Sequence, residues 1–489
     1  MITSLKPYPA MKDSGVEWLG EVPEHWDVRR LRNAAEMRVS NVDKHVTEDE
    51  IPIRLCNYVD VYKHDHIDQR IGFMQATATP AEIERFRLEA GDVLITKDSE
   101  TWNDIGVPAL VTEPADDLIL GYHLALLRSF ANELSGGYLL RALQSKGLAY
   151  QFHVEAKGVT RYGLSHASIK SVWLPLPPLP EQAAIVRYLN HVDRRVRRLV
   201  RAKRKLIALL TEQKQAIIHR AVTRGLNPDV PMKDSGVEWL GEVPEHWEVR
   251  RIHQVTDPVR PVMYGIVLPG PHVDDGVWIV KGGSCEPGRL QPDRLSKTTR
   301  EIESRYVRSR LVGNDIVFAI RGGVGAAEVV PDWLVGANLT QDAARIAAGT
   351  GVNPRWLLHA VRAPMFQSQI QSMIIGATVR GINIRDLKRA QLVRPPLPEQ
   401  AAIVEYLDQT TADIDTAIAR TNREIDLLNE YRTRLVADVV TGKVDVREAA
   451  AALPEVDPLA TEVQTDDTLD TDAEADIDEM DLIPGEDEP

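Results

Sequence analysis

The sequence predicts an α+β (mixed α/β) fold present twice: two globular domains separated by an antiparallel coiled coil of two long helices, forming a pseudo-two-fold internal repeat. Three observations predict it. Met11 to Trp26 reads MKDSGVEWLGEVPEHW, and the same sixteen letters return from Met232 to Trp247. A second landmark, PPLPEQAAIV, runs from Pro177 to Val186 and again from Pro395 to Val404. After each copy of that landmark the apolar residues fall into a heptad pattern. The copies lie 221 residues apart at the first landmark and 218 at the second, a period far too long for a solenoid.

Taken in order, residues 1–26 form an entry segment that carries the first PEHW. Its Pro, Glu, His and Trp (Pro23 to Trp26, repeated as Pro244 to Trp247) sit in a Gly and Pro turn context with no third partner at triad or metal spacing. A structural role is therefore expected, with Trp18 and Trp239 as packing anchors. Residues 27–179 and 248–397 are the globular domains. Each mixes strand-like runs, VLIT (Val93 to Thr96) and DIVFAI (Asp315 to Ile320), with helical stretches such as Gly137 to Tyr150 and Pro354 to Met373. A linker with the second PEHW occupies residues 227–247.

The spacer helices are placed at 180–226 and 398–445, where Pro and then Glu suit a helix start. The expected seam of the first includes Leu189, Val196, Leu199, Leu206 and Leu210. That of the second includes Leu407, Ile414, Leu428 and Leu435. Arg187 to Arg224 holds 12 Lys and Arg against Asp193 and Glu212, whereas Gln400 to Gly442 holds eight acids and four arginines. Opposite charge beside two apolar seams favours the mixed pair over either helix with itself. The competing reading makes the run Asp193 to Leu206 a basic nucleic-acid patch.

The net charge of −14 is misleading, because Glu448 to Pro489 alone contains 16 Asp and Glu and no Lys or Arg, leaving +2 elsewhere. Residues 446–489 read as an acidic tail too poor in apolar surface to offset the entropy of ordering. Two cysteines, Cys56 and Cys285, cannot make a disulfide framework and lack metal-ligand spacing, so each reads as a small buried side chain in a reducing, cytoplasmic protein. No apolar run is long enough for a membrane span, and no export signal opens the chain. Walker A, GxGxxG, HExxH and CxxC motifs are missing from the sequence, so no catalytic residue and no metal ligand is assigned.

Where the globular domains diverge, one motif persists: GVTRYGLSHASIK from Gly158 to Lys170 and GATVRGINIRDLK from Gly376 to Lys388. Closely spaced glycines with Thr and Arg between them suit a turn that brings amides close to a phosphate or a base edge. The competing reading is a turn needed only for folding. A second loop follows each strand: KDSETWN (Lys97 to Asn103) and RGGVG (Arg321 to Gly325). Lys, Arg and Asn at such positions suit base-edge contacts, with an ordinary surface ion pair as the alternative. The candidate DNA-binding residues are Lys97, Asn103, Lys157, Thr160, Arg161, Tyr162, Lys281, Arg321, Thr378, Arg380 and Asn383.

The ordered duplication of GEVPEHW (Gly20, Gly241), GxTxxG (Gly158, Gly376) and PPLPEQ (Pro177, Pro395) closely resembles the specificity subunits of bacterial type I restriction-modification systems. The resemblance covers nearly all of residues 11–445. It implies that the two globular domains are target-recognition domains, each reading half of a split double-stranded DNA sequence, while the helices set the gap. It further implies association with two modification subunits that methylate adenine with S-adenosylmethionine, and with restriction subunits that use ATP and Mg²⁺. No cofactor is expected in this chain. The acidic tail departs from the pattern and could shield the basic helix before DNA arrives. Two other classes compete: a scaffold joining two proteins without DNA contact, and a fused DNA-modifying enzyme with an unrecognised site.

Overall fold

The computed structural model describes residues 5–237, 240–374 and 381–454. The chain packs as two compact units, one running to Lys203 and resuming at Arg423, the other spanning Arg204–Asn422. Each unit thus joins one globular domain to part of each long helix.

In the first unit a five-stranded sheet has the order Ala35–Val39, Leu124–Ser129, Val93–Thr96, Pro108–Val111, His66–Ile67. Its pairings are antiparallel except the last. The central strand Val93–Thr96 is buried along its whole length, as expected of an unbroken apolar run covered on both faces. Alternate side chains serve different cores. Val93, Ile95, Ala125 and Leu127 join the core beneath helices Gly136–Leu143 and Lys146–Glu155. Leu94, Leu124 and Leu126 point into a second core against a three-stranded sheet of Leu118–Leu120, Ile51–Cys56 and Met74–Ala78.

The second unit repeats this plan with other residues. Its four-stranded sheet has the order Met263–Tyr264, Ala343–Ile346, Ile316–Ala319, Ala327–Val329. Ile316 and Phe318 face one core while Val317 and Ala319 face the other, the period of two that a pleated strand imposes. Both expected helical stretches are broken in two. Helix Pro354–Arg362 ends at Ala363, whose extended backbone precedes Pro364 at the start of Pro364–Ser372; a residue before proline is pushed out of the helical region.

The two repeated landmarks bind each other. Strand Asp27–Arg30 pairs with Trp173–Leu176, and Glu248–Arg251 pairs with Gln391–Arg394 in the same register. This brings PEHW against PPLPEQ at the start of each long helix. Trp26, with no exposed surface, donates its indole N–H to Glu181 over 3.0 Å, and His25 Nε2 lies 2.7 Å from the same carboxylate. Trp247 and His246 bind Glu399 in the same way at 2.9 and 2.6 Å. The next residue is a buried glutamine that uses both ends of its amide. Gln182 accepts from Ser135 N–H (2.8 Å) and donates to the carbonyls of Glu133 (2.7 Å) and Pro177 (2.9 Å). Gln400 accepts from Asn353 N–H (2.7 Å) and donates to Gly351 (3.2 Å) and Pro395 (2.8 Å). The structural role expected for His and Trp thus has a named partner. Trp18, by contrast, is 39% exposed and packs near Gly147, so it anchors less than Trp26 does. Trp239 lies outside the described residues.

Helices Leu179–Arg224 and Leu397–Val440 start one residue before the expected bounds and end earlier. Each stops at a glycine with φ of +76°, Gly225 and Gly442. A Cβ there would sit 3.1 Å from Trp247 in one case and 2.2 Å from Pro23 in the other, so only glycine lets the helix end seat on its PEHW segment. Beyond Gly442 the fold continues. Val446 and Ala450 are buried beside Tyr8 and Trp26, and Arg447–Ala451 is helical. The tail therefore cannot begin at 446: composition averaged over the segment hid two inward-facing apolar residues. From 455 onward it lies outside the described residues.

The long helices pair antiparallel. In the first unit Asp193 meets Arg432 and Lys203 meets Glu424 at 2.5 Å; in the second, Lys214 meets Asp415 at 2.5 Å. Leu189, Val196, Leu407, Ile414 and Leu435 are buried, and Leu210 and Leu428 half-buried. Leu199 and Leu206 are not in the seam: they are 43% and 46% exposed, while neighbouring Val200 is 8% exposed. The inward-facing series runs Val196, Val200, Lys203, Ile207, Leu210. Sequence could not separate the registers, because Leu199–Val200 and Leu206–Ile207 are adjacent apolar pairs about 100° apart on a helix.

Asp193 is an acid amid the arginines of the first long helix, and it is enclosed. Arg141, itself 3% exposed, approaches to 3.4 Å, with Arg197 at 3.3 Å and Arg432 beside it. Burial alone would raise the Asp193 carboxyl, but Arg197, Arg141 and Arg432 outweigh it and hold it below the usual carboxylate range. Because the folded value lies below the unfolded one of about 3.9, this stabilisation is fully present above about pH 4 and is lost as pH falls through the folded value. Asp193→Ala strands Arg141 and is expected to destabilise by about 3 kcal/mol at pH 7. Urea unfolding of the full chain should show the gap to wild type narrowing in acid; a pH-independent gap would refute the charge network.

Candidate DNA interface

In the first unit the loop after the central strand and the glycine turn are stitched together. Tyr162–Gly163 pairs antiparallel with Asp98–Ser99, Leu164 N–H donates to Lys97 O over 2.8 Å, and Lys157 and Gly163 exchange two backbone hydrogen bonds. The turn needs glycine at 158, where a Cβ would lie 1.9 Å from the Arg161 carbonyl oxygen. Lys157, Thr160 and Arg161 are exposed at its tip, as is Asn103 in the neighbouring loop, while Tyr162 is half-buried.

Beneath the tip runs a chain of charged contacts. Lys97 Nζ donates to Asp98 at 2.5 Å, His123 Nδ1 lies 2.8 Å from the same carboxylate, and Arg161 reaches His123 Nε2 at 3.2 Å. A guanidinium only donates, so His123 Nε2 accepts and Nδ1 carries the proton bound by Asp98. Burial, reinforced by Arg161 and Lys97, lowers the His123 value against the pull of Asp98 and disfavours the charged ring. Lys97 is therefore committed to an ion pair, whereas Arg161 is exposed and held by a neutral acceptor. Tyr122, 43% exposed with its ring centroid 3.6 Å from that of His123, and Trp102, 48% exposed, border the same surface. Sequence reasoning missed Tyr122 and His123, since they follow a strand three letters long with no motif around them.

The second unit makes the same juxtaposition. Arg321 bridges to Gly381, and Ile382 N–H donates to Ile320 O over 3.0 Å. A third segment joins here: Lys281 precedes the short turn Gly282–Cys285, and a Cβ on Gly282 would lie 1.9 Å from the Arg321 carbonyl oxygen. Lys281, Arg321 and Asn383 are exposed. Asn383 precedes helix Ile384–Arg389 without capping it. Thr378 and Arg380 lie outside the described residues. Cys56 and Cys285 are buried, their thiols pushed up by burial. Among the described residues no group of three or more His, Cys, Asp or Glu could hold a metal, and no helix is long and apolar enough to cross a membrane.

Comparison with known proteins bears on this arrangement. Residues 62–208 match the family model described as the type I restriction modification DNA specificity domain. The chain is 25% identical over 303 residues to the type I restriction enzyme EcoBI specificity subunit of Escherichia coli, covering 61% of this chain and 64% of that one. It is 24% identical over 435 residues to the MjaX type I specificity subunit of Methanocaldococcus jannaschii, covering 88% and 96%. A solved structure from work on complex assembly and conformational transition of the type I R-M system shares the fold, with a TM-score of 0.62 and 17% identity over 86% of this chain and 98% of that one. Residues 62–208 thus carry the type I restriction modification DNA specificity domain, and the chain is similar to type I specificity subunits over most of its length.

Proposed function

We propose that this chain is the DNA sequence-recognition subunit of a cytoplasmic type I complex. Each globular domain reads one half of a bipartite duplex target, and the paired long helices set the gap between halves. Adenine methylation and cleavage are carried out by partners: two modification subunits using S-adenosylmethionine, and restriction subunits using ATP and Mg²⁺. The observation that carries this reading is the recurrence of one juxtaposition on two divergent sequences. In both units the loop after the central strand meets the glycine turn and presents exposed cations, Arg161 in one and Arg321 in the other. A recogniser needs a constant frame and variable tips, because different base edges must be met from the same approach.

In this reading Arg161 and Arg321 contact base edges, guanine being the best match to a guanidinium fork, and Asn103 and Asn383 are suited to adenine. Lys157 and Lys281 supply phosphate contacts, as Thr160 and Thr378 do through their hydroxyls. Arg321→Ala should cost about 1–3 kcal/mol at one base position of a single half-site, read as relaxed sequence preference in methylated-adenine mapping, with the other half-site unchanged. Equal loss at both halves would point to misfolding or to a non-reading role.

The helical spacer makes a second expectation. Inserting a matched heptad in both long helices adds about 10.5 Å of rise, which should lengthen the gap by about three base pairs. Active complexes that keep the original gap would rule the spacer out as its determinant.

A further inference from the structure

The second unit carries a basic cleft that the base-reading loops do not account for. A hollow of about 570 Å³ opens between the end of the entry strand Glu248–Arg251 and the helix Ile384–Arg389. Arg251, His253, Arg385, Lys388 and Arg389 line it, and Asp257 is the one acid among the described lining residues. That acid is partly engaged, accepting from Val259 N–H at 2.8 Å. His253 Nδ1 lies 2.9 Å from the Lys388 carbonyl oxygen and so donates to it. Arg251, Arg385 and Arg389 are exposed and Lys388 is half-buried. Four permanent cations facing one hollow with a single acid repel one another, an arrangement that an anionic occupant would relieve.

The internal duplication supplies the control. In the first unit Arg251 corresponds to Arg30, Lys388 to Lys170, Arg385 to Ala167, Arg389 to Ser171 and Gln391 to Trp173. Arg30 is already engaged there: its guanidinium lies 4.6 Å from the centroid of the Trp173 ring and donates to Ser171 O at 3.2 Å. The second unit has lost the aromatic cover and gained two arginines on a frame otherwise held in the same register. Folding does not need those charges, since the first unit closes the same joint without them.

We propose that this cleft is a DNA-backbone site, holding one or two phosphodiester groups beside the second half-site. The inference rests on the DNA-reading function above and assigns new residues to it. Guanidinium groups bind phosphate oxygens in pairs and fix position without reading sequence. The helix that carries Arg385 and Arg389 begins three residues after Gly381 of the glycine turn, so a phosphate held there would register the duplex against the reading loops. The consequence is unequal halves: the second target domain should contribute more salt-dependent binding than the first.

The test is duplex binding by the full-length chain, followed by fluorescence anisotropy over a salt series on two unrelated sequences. R385A/R389A should weaken binding about tenfold on both duplexes and flatten the slope of log K against log salt by about 1.8, the expectation for two lost phosphate contacts. R300A/R305A removes two exposed arginines on helix Arg300–Ser304 and its C-cap and should leave the slope unchanged. Equal flattening in that control would reduce the effect to bulk charge and overturn the site. An unchanged slope in R385A/R389A beside a steep wild-type slope would overturn the cleft alone. A wild-type chain whose duplex binding ignores salt would overturn the DNA reading as well.

Discussion

Everything in this fold hangs on a carboxylate held by an indole and an imidazole. Glu181 binds Trp26 and His25, and Glu399 binds Trp247 and His246. Each bond ties the segment that enters a globular domain to the residue that starts the long helix leaving it. The adjacent glutamine then fastens the same turn to the N-cap of a helix in the domain, Gln182 to Ser135 before Gly136–Leu143 and Gln400 to Asn353 before Pro354–Arg362. Glu181, Gln182 and Gln400 are buried, and each left without partners would cost several kcal/mol, whereas the Glu399 side chain is 41% exposed and its bonds count for less. These directional contacts help fix the orientation of each domain on its helix, most firmly in the first unit. In the first unit Tyr8 adds a third donor to Glu181, at 2.5 Å, and burial beside that carboxylate pushes the phenol well above its ordinary value. Arg447, over the Tyr8 ring at 5.2 Å, joins the end of the fold to its beginning.

A rigid joint explains how the globular domains could diverge. Only the joint, the strand pair beside it and the helix-terminal glycine must stay constant. The two sheets differ in strand number and in nearly every side chain, yet both keep one central strand whose alternate residues feed two cores. The loops beyond that strand are free to vary. They end with Arg161 over His123 in one unit and with Arg321 beside Lys281 in the other.

Much of this was legible in the sequence because duplication marks it. Exact repeats located the joint, and the strand Val93–Thr96 could be read from four apolar or β-branched letters. The pairing of a basic with an acidic helix followed from charge. What stayed hidden had physical causes. Adjacent apolar pairs leave the seam register open in the sequence, and the structure turns Val200 and Ile207 inward in place of Leu199 and Leu206. His25 and Trp26 gave no sign that their partner lies 155 residues away at Glu181. The Asp98–His123–Arg161 chain joins three segments distant in sequence, and no local pattern announces it. The basic cleft needs Arg251 and Arg389 side by side, which only the strand pairing of the fold achieves.

On the reading proposed above, two divergent sets of loops on one repeated frame read two separate stretches of DNA. Mapping methylated adenine across the host genome, with and without this gene, tests it most directly. Removing the gene is expected to abolish methylation at one motif made of two unequal halves with a fixed unspecified gap. An unchanged map, or the loss of an uninterrupted motif, would contradict it.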